Sequence, residues 1–162
     1  MLVRETQLED ANALSLLISS VAQERRYLDS TTGFSEESTA SFIESVKAGN
    51  GVILLAVVDN DLVGWCDITR MLSEGRTHVG RLGLGVKAGF RGRGIGKAVL
   101  KAALEQAFER GIERVELEVY RSNTSAILLY EAHGFVWEGL KVGARKLDGI
   151  TDDIVLYAAF AS

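Results

Sequence analysis

The sequence contains no proline and a single cysteine, Cys66, among its 162 residues. One cysteine excludes a disulfide framework and every zinc site built on several cysteines. Without proline, each turn has to be made by glycine, asparagine, aspartate or serine, and 17 glycines are available for this purpose.

Excess positive charge and long apolar runs are also lacking. The formal net charge of -4 argues against general binding to nucleic acid or to an anionic membrane surface. No apolar run approaches the roughly 18 residues of a membrane helix. The first five residues end in Glu5 without a long apolar segment, unlike a secretory signal. These absences predict a soluble, cytoplasmic protein of a reducing compartment.

What is present is an ordinary globular composition. Apolar residues make up 47% of the chain and charged residues 25%, which is unlike a disordered protein. The length predicts one domain, residues 1–162, with a sizeable core and no need of a structural metal. We find no linker, repeat or change of composition along the chain, and no metal site is expected.

Two helices are predicted in the first 50 residues. The first begins with a capping-box pattern, Thr6 followed by Glu9. Its apolar face recurs at helical spacing: Leu14, Leu17, Ile18 and Val21. The second helix ends at Gly49 and has one buried face: Thr39, Phe42, Ile43 and Val46.

The remaining pattern alternates strands with two further helices. Strands are predicted at 52–58, 62–70, 79–86, 114–120, 135–145 and 150–160, and helices at 94–110 and 123–133. The turn residues Asp59, Asn60 and Asp61 join the first two of these strands as a hairpin. The order β-α-α-β-β-β-α-β-α-β-β predicts an α/β or α+β domain, a mixed sheet with helices on both faces. It is not the order of a doubly wound nucleotide fold.

A glycine-rich segment, 89–97, joins a predicted strand to a predicted helix. Gly92, Gly94 and Gly96 alternate there, so several backbone N–H groups can point toward one ligand beside the positive end of the helix. That combination binds phosphate. It is not a P-loop, because Ala98 follows the Gly-Lys pair, and it lacks the third glycine of a dinucleotide fingerprint, where Lys97 stands. A tight turn with a basic rim is the alternative.

Two motifs resemble the GNAT superfamily of acetyl-CoA-dependent N-acetyltransferases. Arg91-x-x-Gly94-x-Gly96 resembles its pyrophosphate loop. Residues 123–135, which read Asn-Thr-Ser-Ala-Ile-Leu-Leu-Tyr-Glu-Ala-His-Gly-Phe, are similar to its second signature. The element order also looks like that of the family, so the resemblance covers the whole chain. It implies a mostly antiparallel seven-stranded sheet, acetyl-CoA as co-substrate and transfer of an acetyl group to a primary amine.

The resemblance also implies site residues. The strand before the glycine loop would pair with the pantetheine arm through Leu84 and Val86, and an N–H near Gly85 or Val86 would stabilise the oxyanion. The loop and the start of the next helix would hold the pyrophosphate: Arg91, Gly92, Arg93, Gly94, Ile95, Gly96 and Lys97. Asn123 would contact the cofactor, cap its helix, or both. Tyr130 would be the general acid, or else an aromatic residue packed on the sheet.

The general base stays open at this point. Many family members carry a glutamate on the strand before the loop, and residues 78–86 contain none. His78 is one candidate, but it lies at the far end of that strand. Asp67 and Glu118 lie on neighbouring strands and would accept the proton through water. An amine that is already partly neutral can also react without a side-chain base. We expect Cys66 to be a buried thiol without a catalytic role, and we expect Trp65 and Trp137, which lie in predicted strands, to belong to the core.

The acceptor is expected to be a small amine, such as an amino acid or a related metabolite, that attacks the thioester directly in a ternary complex. The tail, with Glu138-Gly139 and Asp148-Gly149, is similar to the branch that acts on free amino acids, small amines or protein N-termini. Residues 24–37, with Arg25, Arg26 and Tyr27, are the expected acceptor segment or else a surface loop. A protein N-terminal or lysine acetyltransferase and a non-catalytic acyl-CoA sensor are the alternatives. The final strands are a candidate homodimer interface.

Overall fold

A computed structural model describes all residues from 1 to 162 and contains seven strands and four α-helices. The strands are β1 Leu2–Glu5, β2 Val52–Val58, β3 Asp61–Arg70, β4 Val79–Val86, β5 Arg114–Tyr120, β6 Val136–Leu147 and β7 Ile150–Phe160. The helices are α1 Ala11–Ala22, α2 Glu36–Ala48, α3 Ile95–Glu109 and α4 Thr124–Ala132. None of them has both the length and the apolar character needed to cross a membrane.

All seven strands form one sheet in the order β1-β2-β3-β4-β5-β7-β6. The β4–β5 pair is parallel and every other pair is antiparallel. The helix α3 makes the long crossover that a parallel pair requires. The predicted element order and the mixed, mostly antiparallel sheet are confirmed.

The two central strands, β4 and β5, separate soon after they meet. They pair only from Val79 to Arg81 of β4 and from Arg114 to Glu116 of β5. From Leu82 onward, β4 has β3 on one side and a gap on the other. The sheet therefore opens in its middle, directly before the glycine loop.

The sheet separates two apolar cores. On one face, α1 and α2 pack on Ile53, Leu55 and Trp65. On the other face, α3 and α4 pack on the alternate residues of the same strands, among them Leu54 and Cys66. Alternation along β2 and β3 thus supplies both cores, and the predicted helices on both faces are confirmed.

Two local expectations were wrong. The capping interaction lies one residue later than predicted, because the Gln7 N–H donates to the Asp10 carboxylate at 2.7 Å. Thr6 is buried instead, and its hydroxyl donates to the Ile53 carbonyl at 3.0 Å. Trp137, expected in the core, is 60% exposed, since β6 is an edge strand with only β7 beside it.

Candidate active site

A cavity of about 640 Å³ occupies the gap between β4 and β5. One end reaches the glycine loop and the first turn of α3, and the other end reaches the segment that follows α1. Its walls come from β4, the end of β5 and the inner side of α4. One cavity therefore joins the predicted phosphate loop to the predicted acceptor segment across the opening in the sheet.

The backbone of β4 offers hydrogen-bonding groups to this cavity. The Lys87 N–H donates to the Val63 carbonyl of β3, and the Val79 carbonyl accepts from Met71 at the other end of the strand. Because backbone groups alternate along an antiparallel pair, the odd-numbered residues bond to β3. Leu84 and Val86 therefore direct their backbone groups into the gap, whereas the N–H of Gly85 points into β3.

Two glycines of β4 leave room for side chains of β3. A Cβ added at Gly85 would lie 2.2 Å from the Trp65 ring, and one added at Gly83 would lie 2.8 Å from Oδ2 of Asp67. Both glycines line the cavity. The Trp65 ring and the Asp67 carboxylate thus cover the strand on the face of α1 and α2.

The glycine loop turns through three left-handed residues. Gly89, Gly92 and Gly94 have φ of 88°, 76° and 81°, a region that favours glycine. A Cβ added at any of the three would have nothing within 4 Å, so the loop is open on the side where a ligand would lie. The first turn of α3 adds unpaired N–H groups, beginning at Ile95. This is the geometry of a phosphate site at a helix N-terminus.

The three cations predicted beside the loop are differently placed. The Arg91 guanidinium donates to both oxygens of Glu24, at 2.7 and 2.6 Å, and lies 4.6 Å from the centre of the Tyr27 ring. Lys97 lines the cavity. Arg93 packs over the Phe90 ring at 5.1 Å and does not line the cavity.

The second signature contributes Asn123 and Tyr130 to the same cavity. The Asn123 side chain caps α4 by accepting from the Ala126 N–H at 3.3 Å. Tyr130 is 6% exposed and stacks against Phe135 with the ring centres 5.4 Å apart. Burial raises the pKa of Tyr130, and the nearby Cys66 and Asp67 raise it further. Its phenol is therefore protonated at neutral pH, as a proton donor must be.

The far end of the cavity joins residues of the predicted acceptor segment to Tyr120, which the sequence did not single out as a site residue. Leu28, Asp29 and Tyr120 line it together with Tyr27. The Tyr120 hydroxyl donates to Asp29 at 2.7 Å, and the pKa of Tyr120 is raised to about 12, first by burial and then by this carboxylate. The partners are 91 residues apart, and no local pattern connects them.

Side chains of the β6–β7 hairpin hold this end of the cavity. Arg25 donates to Asp148 at 3.0 and 2.8 Å. Arg145 lies 4.1 Å from the centre of the Tyr120 ring and donates to the Arg25 and Arg26 carbonyls at 3.3 Å. Together with the Arg91–Glu24 pair, these contacts connect the segment after α1 both to the glycine loop and to the β6–β7 hairpin.

The three base candidates have different surroundings. His78 is exposed and outside the cavity. Glu118 lines the cavity but pairs with Arg81 at 3.5 Å and with Lys141 at 2.8 Å. Asp67 has no cationic partner, and burial raises its pKa to about 7 although the Trp65 N–H donates to it at 3.1 Å.

Comparison with known proteins gives the family. Residues 20–135 match the model of the acetyltransferase (GNAT) family. The L-amino acid N-acetyltransferase AaaT of Escherichia coli K12 is 32% identical over 87 residues, which are 53% of this chain and 54% of that protein. The match thus spans about half of the length of that relative.

Solved structures share the fold over the whole chain. An acetyltransferase of the GNAT family from Streptococcus pneumoniae is 27% identical with a TM-score of 0.92, covering 99% of both chains. The phosphinothricin acetyltransferase of Sinorhizobium meliloti, in complex with acetyl-CoA, is 16% identical with a TM-score of 0.93, over 99% of this chain and 88% of that one. With the family model matching most of its length, this chain belongs to the GNAT family of acetyltransferases.

Proposed function

We propose that this chain transfers the acetyl group of acetyl-CoA to the primary amine of a small molecule, such as an amino acid, by direct attack in a ternary complex. The observation that carries the proposal is the cavity in the opened sheet. It joins a phosphate-binding loop at one end to the predicted acceptor segment at the other, and the reacting atoms would meet between them.

The donor half of the cavity fits acetyl-CoA. The N–H groups from Arg91 to Gly96 would hold the pyrophosphate, since the loop is open and lies at the N-terminus of a 15-residue helix. Lys97 adds positive charge, and Asn123 lies within the same wall. The pantetheine amides would bond to the backbone groups of Leu84 and pass beside Val86, whose N–H also faces the gap, as an added strand bonds to a sheet edge.

The chemistry needs a polarised carbonyl and a proton for the leaving sulfur. The N–H of Val86 faces the gap, so it would donate to the oxyanion that forms when the amine attacks the thioester. The Val86 carbonyl is already bonded to the Arg91 Nε at 2.9 Å. Tyr130 would donate its proton to the sulfur as the C–S bond breaks.

A small acceptor is favoured by the far end of the cavity. Tyr27, Leu28 and Asp29 line it, and the Arg91–Glu24 and Arg25–Asp148 pairs that hold this segment would limit access by a protein chain. Similarity to an L-amino acid N-acetyltransferase over half of the chain supports the same substrate class. Arg81, which lines the cavity and lies 3.5 Å from Glu118, would be the partner for the carboxylate of an amino acid.

Calorimetric titration with acetyl-CoA, followed by thiol release over a panel of amino acids, simple amines and short peptides, tests the proposal. We expect saturable binding and thiol release with one class of small amine. Release with peptides alone would replace the proposal by a protein N-terminal or lysine acetyltransferase. Binding without release on any acceptor would replace it by an acyl-CoA sensor.

We further propose that two copies of the chain associate through the final strands in the cytoplasm. The edge strand β6 has no neighbour on its outer side, and it exposes the apolar side chains of Val136, Trp137 and Val142. Exposed apolar groups on an open edge favour association. Light scattering gives the molar mass of the wild type and of Trp137→Lys in solution. A dimer held by this edge should dissociate in the variant.

A further inference from the structure

We propose that Asp67 is the proton acceptor of the reaction, an assignment that rests on the proposed acetyl transfer. Its carboxylate lies over Gly83 of β4, where an added Cβ would be 2.8 Å from Oδ2 and 3.2 Å from Oδ1. Gly83 lines the cavity at the point where β4 and β5 have separated. The carboxylate of β3 therefore fills the position that a side chain of β4 would otherwise occupy.

The position of this carboxylate is fixed by its neighbours. The Trp65 indole N–H donates to Oδ2 at 3.1 Å, and the Trp65 ring is itself buried against Gly85. Trp65 is the side chain that donates to Asp67, and the backbone N–H of Asp67 itself also stabilises the carboxylate. Asp67 keeps part of its surface exposed and lies behind Gly83, which lines the cavity, so we infer that a ligand reaches its carboxylate across this glycine.

The groups around Asp67 allow its carboxylate to titrate near neutral pH. The residues paired with Asp67 are Ile53 on β2 and Gly83 on β4, and neither titrates. The titratable groups that respond to its charge are Cys66 on β3 and Tyr130 on α4. Asp67 belongs to none of the ion pairs of the chain, whereas Glu118 is shared by two cations. A carboxylate with a pKa of about 7 matches the working pH of a general base.

The proton balance assigns complementary roles to Asp67 and Tyr130. The ammonium of the acceptor gives one proton to Asp67, and the nitrogen lone pair then forms the C–N bond with the thioester carbon. The carbonyl π pair moves to oxygen and returns, and the C–S electron pair leaves on sulfur, which takes the Tyr130 proton. The second ammonium proton passes through water to the Tyr130 phenolate, and the proton on Asp67 leaves to solvent.

Three variants and a pH profile test the assignment. In the wild type, kcat/KM for the best amine should rise with pH through an apparent pKa of about 7. Asp67→Asn should lower kcat/KM about 100-fold or more at pH 7. In this variant, kcat/KM should rise with pH only near the pKa of the acceptor ammonium. Trp65→Phe removes the donor to Oδ2, which should raise the Asp67 pKa and move the rise to higher pH. Asp59→Asn, in the exposed β2–β3 turn, is the matched control with a wild-type profile.

Calorimetry with acetyl-CoA separates this assignment from the proposed function. Asp67→Asn should bind acetyl-CoA as the wild type does, because the loop and the backbone of Leu84 and Val86 are unchanged. An Asp67→Asn enzyme with wild-type kcat/KM and an unmoved profile overturns the assignment while the acetyltransferase stands. Loss of the rise in Glu118→Gln instead gives the role to Glu118. A wild type that binds acetyl-CoA and releases no thiol with any amine overturns both proposals.

Discussion

Replacing Asp67 by asparagine should stabilise the protein, and increasingly so as the pH rises. The pKa of Asp67 is raised from its ordinary value of 3.8 to about 7 because burial disfavours the ionised form. One pKa unit corresponds to about 1.4 kcal/mol, so ionised Asp67 destabilises the folded state by up to about 4 kcal/mol above pH 7. Asparagine has no charge to bury and keeps an oxygen that accepts from Trp65.

The pH dependence follows from the proton count. Between about pH 4 and pH 7 the unfolded chain has lost the Asp67 proton while the folded chain keeps it, so the contribution of this group falls as the pH rises. Above pH 7 both states are ionised and the cost stays constant. From pH 5 to pH 8 the advantage of Asp67→Asn over the wild type should therefore grow by about 2–3 kcal/mol.

Urea unfolding of the wild type and Asp67→Asn at pH 5 and at pH 8, followed by circular dichroism, measures this difference. Effects of the substitution that do not depend on pH cancel when the stability differences at the two pH values are compared. The contributions of titratable groups that both proteins contain cancel as well. Asp59→Asn is the control, since its exposed carboxylate should give no such growth. A difference that is the same at both pH values, within the error of the extrapolation, would show that water reaches Asp67 and that its pKa is ordinary.

Three further variants test the donor half of the site. Gly94→Ala places a Cβ on a residue with φ of 81° and should lower the free energy of unfolding by about 1–2 kcal/mol. Calorimetry should also show weaker acetyl-CoA binding. The control Gly111→Ala, with φ of 86° and outside the cavity, should show the loss of stability alone. Tyr130→Phe keeps the ring against Phe135 and should lower kcat in the thiol-release assay while the acetyl-CoA Kd is unchanged; an unchanged kcat would remove Tyr130 as the acid. Arg91→Gln should weaken acetyl-CoA binding about tenfold, which corresponds to the loss of one charge-assisted hydrogen bond. An acetyl-CoA Kd equal to that of the wild type would mean that Arg91 contacts only Glu24 and Tyr27 and does not bind the cofactor.

The sequence was sufficient where the signal is local. The hairpin turn at Asp59 and Asn60, both with positive φ, and the start of α3 after Gly94 follow from residues that are neighbours in the chain. The phosphate loop could be predicted for the same reason, because its glycines, its cations and its helix N-terminus fall within nine residues. Element order then limited the sheet to a mixed arrangement with one crossover helix at its centre.

Contacts between distant segments could not be predicted. The sequence assigned Arg91 to the pyrophosphate, and the structure pairs it with Glu24, which lies 67 residues earlier. The far end of the cavity depends on Tyr120 meeting Asp29 and on Arg25 meeting Asp148, which are 123 residues apart. A single sequence gives no register between such segments, so the residues that meet at this end of the cavity could be found only from the fold.

The pattern Leu82-Gly83-Leu84-Gly85-Val86 explains why the site lies on β4. The two leucines pack into the core under α3 and α4, and their backbone groups, with those of Val86, face the gap where the cofactor would bind. The two glycines present their other face to the acceptor side and leave space for Trp65 and Asp67 of β3. Alternation along a strand separates these two tasks. An alanine at Gly83 would displace the Asp67 carboxylate without touching the backbone groups that we propose for acetyl-CoA binding. Gly83→Ala should therefore lower kcat far more than it changes acetyl-CoA affinity, and an equal loss in both would mean that β4 itself had moved.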